Sequence, residues 1–157
     1  MNAYYKNMLV WQMGMKLCHQ VYNVVEDEKF PKNDDKLDSQ LKRAVISIPA
    51  NIAEGASSHF EKHFLSYVNI AFCSLKELET LLLFCYQRGY MDSDNYLAIH
   101  KQADKLGIKL YSLLKQIEKR IKKRDVLRYS MEGFRRKVEE DIKKNQERTQ
   151  SKPGSSA

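Results

Sequence analysis

The sequence has few of the residues that build cross-linked or irregular structures. Its 157 residues include only 3 cysteines, 3 prolines and 6 glycines. So few cysteines exclude a disulfide framework, and a hydrophobic content of 43% excludes a uniformly disordered chain. None of the motifs GxGxxG, GxxxxGK[ST], GxSxG and HExxH is present. These absences favour one globular domain without an enzymatic activity.

The sequence also lacks the marks of an exported or membrane-spanning protein. Cys18, Cys73 and Cys85 are widely spaced among apolar neighbours, with no CxxC pair, so a thiol redox site and a structural zinc site are not indicated. The longest apolar run, residues 64–86, is interrupted by three charged residues, and the N-terminal stretch does not resemble a signal peptide. We therefore expect a soluble cytoplasmic protein without a membrane partner.

Apolar residues recur at spacings of three and four along most of the chain, which is the period of a helix with one buried face. The pattern predicts four helices, at about residues 8–27, 34–55, 60–86 and 93–121. Because the connections are short, consecutive helices should be antiparallel neighbours. No segment has the period of a strand. We therefore predict an all-α fold, an antiparallel up-down-up-down four-helix bundle over residues 1–124.

Several local signals refine the helix boundaries. Pro49 lies inside the second predicted helix, where it should cause a kink or divide the segment into two short helices. Gly55 is predicted to end this helix with a positive φ, and Gly89 to end the third helix. Ser58 and Glu61 have the spacing of a capping box, which predicts that Ser58 caps the third helix.

The third predicted helix carries more apolar side chains than one bundle core can bury. Besides its main stripe it has five further large apolar residues, namely Leu65, Ile70, Phe72, Leu81 and Phe84. Exposed apolar surface of this extent favours a second buried face. The most economical explanation is a subunit interface, so we predict a homo-oligomer.

A polar strip lies beside the apolar stripe of the second helix. Arg43, Ser47, Asn51 and Glu54 are spaced by four, four and three residues, which places them on one helix face. The strip could bind a ligand, or it could be a polar seam paired with neighbouring helices or another subunit. Because buried polar groups are nearly always hydrogen-bonded, we favour a structural role in fold and assembly.

The best candidate for a metal site lies at the turn after the second helix. His59 and His63 are one helical turn apart, and Glu54 could supply a carboxylate as the third ligand. The two histidines straddle a helix N-terminus, where side chains are commonly exposed, and no fourth ligand is evident. We therefore assign no metal site, no cofactor and no catalytic residue.

The charge is strongly segregated along the chain. Residues 1–114 contain 13 basic and 13 acidic side chains, whereas residues 115–157 contain 14 and 7, so the net charge of +7 lies in the last 43 residues. The densest part of this basic segment consists of Lys115, Lys119, Arg120, Lys122, Lys123, Arg124, Arg128, Arg135, Arg136 and Lys137.

Three explanations of these basic residues are open from the sequence. They could bind the phosphate backbone of RNA or DNA through counterion release. They could lie on an anionic membrane surface, or they could form a solvated helix end. A solvated end accounts for the first few charges and not for the rest, so we favour nucleic-acid binding.

The segment after Arg124 is predicted to be a separate extension, residues 125–157. Its apolar residues are spaced by four, three, four and four, which predicts a fifth amphipathic helix consisting of Leu127, Met131, Phe134, Val138 and Ile142 and their neighbours. From Asn145 onward the composition is typical of a disordered end.

Three segments resemble a known family. They are VWQ at residues 10–12, SQLKRAVISIPANIAEGAS at residues 39–57, and SLKELETLL at residues 74–82 followed by RGYM. With these segments the chain resembles the four-helix-bundle proteins encoded in intervening sequences of bacterial large-subunit ribosomal RNA genes. The resemblance covers about residues 5–122, and Cys73 departs from it, because similar proteins often have glycine before the serine.

The resemblance implies a homo-oligomer, commonly a five-fold ring of bundles. It also implies a link to accessory proteins of diversity-generating retroelements, which assist a reverse transcriptase and its RNA. We place Pro49, Gly55, Ser74 and Glu77 with the polar strip as residues for fold and assembly. The extension after Arg124 is longer than in the usual family member, so nothing transfers to it.

The sequence thus predicts a non-enzymatic, ring-forming protein that binds RNA or DNA through its basic residues, as an accessory factor of a reverse transcriptase. The competing hypothesis is a structural oligomerisation module without a role in nucleic-acid binding.

Overall fold

The computed structural model describes residues 4–27, 30 and 35–150. A short 3₁₀ helix, Tyr4–Asn7, precedes four α-helices, which are α1 (Leu9–Val25), α2 (Asp35–Ala56), α3 (Glu61–Gln87) and α4 (Ser93–Gln150). No strand occurs within these residues. The chain forms two compact units, Met1–Glu118 and Lys119–Ala157, and α4 contributes residues to both.

The first unit is a four-helix bundle, which confirms the predicted all-α fold. Each helix places one row of large apolar side chains in the core, at the spacing of three and four that the sequence shows. The fully buried residues include Leu17, Val21, Leu41, Ile48, Ile52, Leu75, Leu78, Leu82, Ile99, Leu106 and Leu110. None of the helices in the described part of the chain has the length and apolar character needed to cross a membrane.

Helix α2 continues without a break through Pro49, so the alternative of two short helices is wrong. A proline has no N–H to donate to the carbonyl four residues earlier, which here belongs to Val45. The buried thiol of Cys18 on α1 donates to that carbonyl instead, with Sγ 3.2 Å from the oxygen. Gly14 lies against the proline ring, since a Cβ at Gly14 would be 3.5 Å from Pro49 Cβ. The contact with α1 therefore compensates part of the cost of the proline.

Gly55 is required for close packing and not for a positive φ, so our prediction for this residue is wrong. It lies inside α2, and the positive-φ glycine of the described chain is Gly89, at 71° in the turn after α3. A Cβ at Gly55 would lie 2.7 Å from Tyr67 Cβ and 3.0 Å from Phe64 Cδ2. Helices α2 and α3 approach each other so closely here that only glycine fits.

The predicted capping box at α3 is also wrong. Helix α3 is preceded by Phe60 as its N-cap, without a side-chain capping hydrogen bond. The hydroxyl of Ser58 instead accepts a hydrogen bond from the backbone N–H of Phe60, at 3.2 Å. Ser58 therefore stabilises the turn before the helix and does not cap the helix itself.

The predicted fifth helix is not a separate element, because α4 continues past Arg124 to Gln150. Nothing in the sequence around Arg124 stops a helix, and Gly133 is accommodated inside it. Of the end predicted to be disordered, residues 145–150 belong to α4, and residues 151–157 lie outside the described part.

Candidate nucleic-acid interface

The second unit contains nine of the ten basic residues that the sequence analysis selects. All nine side chains are exposed, and they are Lys119, Arg120, Lys122, Lys123, Arg124, Arg128, Arg135, Arg136 and Lys137. Because a helix has about 3.6 residues per turn, this spacing distributes the charges around the helix and not along one side. The unit can therefore present cations to phosphates in several directions, without a fixed recognition surface.

One of these cations has a clear partner on its own helix. Arg128 Nε lies 3.0 Å from Glu132 Oε1, one helical turn later. An exposed pair at this spacing contributes little to stability, about 0.3–0.5 kcal/mol. A phosphate could therefore displace Glu132 from Arg128 at small cost.

Lys115 is the one selected basic residue in the first unit. Its Nζ lies 3.2 Å from Glu118 Oε2 and 5.4 Å from the centre of the Tyr111 ring. The hydrogen bond to Glu118, with the negative charge of that carboxylate, raises the pKa of Lys115. The cation is thus partly neutralised, and it attracts phosphate less than an unpaired lysine does.

The sequence analysis missed a second group of cations, on the face of α4 opposite the core. Lys101, Lys105 and Lys109, here called the lysine row, are all exposed and follow one another at intervals of four residues. None of the three forms an ion pair with any residue that the structure describes. The spacing could have revealed the row, but the balanced net charge of residues 1–114 concealed it.

The polar strip of α2 is partly connected to α3. Ser47 Oγ and Ser74 Oγ are 2.9 Å apart, and Asn51 Nδ2 donates to Ser47 Oγ at 3.0 Å and to the Ser47 carbonyl at 2.7 Å. Ser74 is almost fully buried. Such a partly buried network fixes how the two helices align, because each hydroxyl needs its partner.

The other polar residues selected by sequence do not join this network. Glu54 lies further along α2, where its Oε1 accepts a hydrogen bond from the Tyr67 hydroxyl at 2.7 Å. This hydrogen bond, together with the charge of the carboxylate, raises the pKa of Tyr67. Arg43 and Glu77 are exposed. Within the predicted strip, Ser47 and Glu54 therefore contact α3, Asn51 bonds to Ser47 within α2, and Arg43 is exposed. A role of these residues in assembly stays a prediction.

The histidines near the turn do not assemble with Glu54. His63 instead lies beside Phe60, with the ring centres 5.4 Å apart. Among the described residues, no group of three or more His, Cys, Asp or Glu side chains is placed to hold a metal ion.

Two of the apolar surfaces in the described part of the first unit lie on different helices. A groove of about 530 Å³ lies between α1 and α2, lined by residues that include Trp11, Met15 and Ile46. The other surface lies on α3, where Ile70 and Phe84 are 43% and 46% exposed. Exposed apolar surfaces commonly mark sites of protein association.

Comparison with known proteins places the first unit in a described group. The family model of the 23S rRNA-intervening sequence protein matches residues 6–112. A solved structure from Bacteroides thetaiotaomicron VPI-5482, described as a protein of unknown function from the S23 ribosomal protein family, has a TM-score of 0.61 and 24% identity. The match covers 68% of this chain and 99% of that one, and it shows a shared fold. The comparison with curated proteins found no match.

Proposed function

Because the chain belongs to the 23S rRNA-intervening sequence protein family, we propose that it is a non-enzymatic, ring-forming protein of the cytoplasm that binds RNA or DNA. The basic residues of α4 contact phosphates in this proposal. The protein acts as an accessory factor of a retroelement reverse transcriptase. Family membership by itself assigns no activity, so each part of the proposal needs its own support.

The observation that carries nucleic-acid binding is the group of nine exposed cations between Lys119 and Lys137. These cations lie inside α4, which ends at Gln150, so favourable charge at the end of a helix dipole does not account for them. A nucleic acid accounts for the full number, because each neutralised phosphate releases a condensed counterion. Cations on all sides of the helix suit contact with a phosphate backbone better than reading of bases.

The two apolar surfaces of the first unit support ring formation. They lie on different helices, so an association through them would join the groove of α1 and α2 in one subunit to the α3 surface in the next. Such a head-to-tail contact produces a ring if the rotation closes. A ring of five subunits, as the family resemblance implies, would then gather several basic extensions into one multivalent surface.

The link to a reverse transcriptase rests on the resemblance of the bundle to retroelement accessory proteins. The genomic neighbourhood tests it directly. An adjacent reverse transcriptase gene supports the accessory role, whereas a surrounding ribosomal RNA gene without such a neighbour contradicts it.

The phosphate contacts are tested with two triple variants of the full chain, using a labelled structured RNA and a labelled DNA duplex. In the extension variant, Arg135→Gln, Arg136→Gln and Lys137→Gln are combined, and all three side chains are exposed. In the control variant, Lys6→Gln, Lys16→Gln and Lys36→Gln remove the same charge from exposed positions of the first unit.

We expect the extension variant to bind about tenfold or more weakly than the wild type at low salt, and the control variant to bind nearly as well as the wild type. Equal losses in both variants would contradict specific contacts by the extension. They would show that only the total charge matters.

One observation favours a second function, a structural module whose extension docks on a protein. The extension has an exposed apolar stripe, in which Leu127 is 56% exposed, Met131 71% and Phe134 72%. Phosphate binding does not require this stripe. Deletion of residues 125–157 distinguishes the two proposed functions. Loss of the oligomer with unchanged RNA affinity would favour the structural oligomerisation module over nucleic-acid binding.

A further inference from the structure

We propose that the lysine row of α4, Lys101, Lys105 and Lys109, is a second phosphate-binding surface, which lies on the bundle itself. The inference rests on the proposed nucleic-acid binding and identifies where else the backbone is held. It concerns residues within the family-matched part of the chain, residues 6–112. The ten basic residues selected from the sequence, residues 115–137, all lie outside that part.

The geometry of the row suits an elongated anionic ligand. With a rise of about 1.5 Å per residue, neighbouring lysines of the row are about 6 Å apart along the helix axis. Their directions fall within about a quarter of the helix circumference, because four residues are slightly more than one turn. Ser112 and Gln116 continue this face, and Gln116 Nε2 donates to Ser112 Oγ at 3.3 Å. The lysine face is therefore cationic and then polar, and Asp104, which lies between Lys101 and Lys105 in the sequence, is at its edge beside His100.

The electrostatics of the row are unfavourable in the free protein. Like charges four residues apart on a helix destabilise it, and the row contains two such pairs. Asp104 is three residues after Lys101, and its Oδ2 lies 3.8 Å from His100 Nε2, whereas Asp94 lies about two turns before the row. No described ion pair neutralises the three lysines. The fold does not require this repulsion between the lysines. A bound polyanion would remove it.

The residues around the row indicate which part of a nucleic acid it contacts. Single-stranded nucleic acids are usually held by aromatic side chains on which the bases stack. No aromatic residue lies between the lysines. Tyr111, two residues after the row, is placed beside Phe72 with 6.4 Å between ring centres. Lysine supplies a flexible point charge, so the row would hold the sugar–phosphate backbone of a duplex without reading its sequence.

The test compares three triple variants of the full chain with the wild type. The row variant combines Lys101→Gln, Lys105→Gln and Lys109→Gln, and the extension and control variants are those described above. The affinities for two labelled RNA duplexes of unrelated sequence are measured between about 50 and 200 mM salt. Thermal unfolding of each variant verifies that the bundle is intact, and the row variant should unfold at or above the wild-type temperature.

The slope of log affinity against log salt is negative, and we expect it to become less steep by about 2–3 units in the row variant, equally for both sequences. The control variant should leave the slope nearly unchanged. If the extension variant weakens binding but the row variant matches the control, the inference is wrong and the proposed function stands. If the wild type binds neither duplex at low salt, both are wrong. A row variant that weakens binding to only one sequence would contradict contact with the backbone alone.

Discussion

At the scale of single residues, the contact between Cys18 and the Val45 carbonyl explains how α2 contains a proline. The thiol occupies the acceptor that Pro49 leaves without an N–H. Burial raises the pKa of the Cys18 thiol to about 11, and a hydrogen bond from the backbone N–H of Cys18 itself lowers the pKa by a smaller amount. The sulfur therefore keeps its proton and remains a donor at neutral pH.

This account predicts a coupling between Cys18 and Pro49. In the wild type, Cys18→Ala leaves the Val45 carbonyl buried without a donor, whereas in the Pro49→Ala background the new backbone N–H can bond to that carbonyl. The cost of Cys18→Ala should therefore be about 1 kcal/mol smaller in the Pro49→Ala background. Urea unfolding of the four proteins measures the difference, and equal costs in both backgrounds would contradict the account.

Gly55 is the residue on which the packing of α2 against α3 most directly depends. Gly55→Ala should destabilise the bundle by about 1–3 kcal/mol, because the added Cβ would lie 2.7 Å from Tyr67 Cβ. Gly107→Ala is the matched control, since its Cβ would meet Leu75 Cδ2 at 3.5 Å, an ordinary contact. Chemical denaturation should show the control unchanged or stabilised by up to about 1 kcal/mol. An unchanged stability of Gly55→Ala would show that the helices can separate there.

At the scale of the helices, the sequence predicts what is periodic and misses what depends on a neighbouring element. The four helices and their buried faces follow from local spacing, as the row of Ile99, Leu106 and Leu110 shows. The role of Gly55 could not be predicted, because it depends on how closely α3 approaches. The pairing of Ser47 with Ser74 also needs the relative position of two helices.

The basic surface illustrates a different limit. The exposed cations between Lys119 and Lys137 could be identified from composition, because they dominate their segment. The lysine row could not be identified from a charge count, since acidic residues elsewhere in residues 1–114 balance it. The lysines are distinguished from the acidic residues by the face of α4 on which they lie, which their spacing of four residues indicates and a charge count does not.

Helix α4 allows opposite effects to be predicted for two lysines. Lys105 has a like charge one turn before and one turn after it, so Lys105→Gln should stabilise the bundle by up to about 1 kcal/mol at low salt. Lys115 pairs with Glu118, so Lys115→Gln should destabilise the bundle slightly. Both effects should shrink as salt is added. Thermal unfolding at two salt concentrations measures them, and a destabilising Lys105→Gln would contradict the repulsion within the row.

At the scale of the whole molecule, the chain consists of two units, Met1–Glu118 and Lys119–Ala157, to which the proposed function assigns different roles. The first unit is a bundle with apolar surfaces on α1 and α2 and on α3, to which we assign head-to-tail association as a proposal, and it carries the lysine row. The second unit carries nine exposed cations of the predicted set. If subunits form a ring, each weak phosphate contact is repeated around it, and avidity can raise the affinity by orders of magnitude.

The dependence of RNA binding on salt tests the central claim most directly, because counterion release is the mechanism on which the proposed function depends. The measurement is the affinity of the full chain for a structured RNA between about 50 and 200 mM salt. We predict that the affinity falls by about 10³-fold or more over this range, as expected for six or more phosphate contacts. An affinity that does not change with salt, or no binding at the lowest salt, would contradict the account.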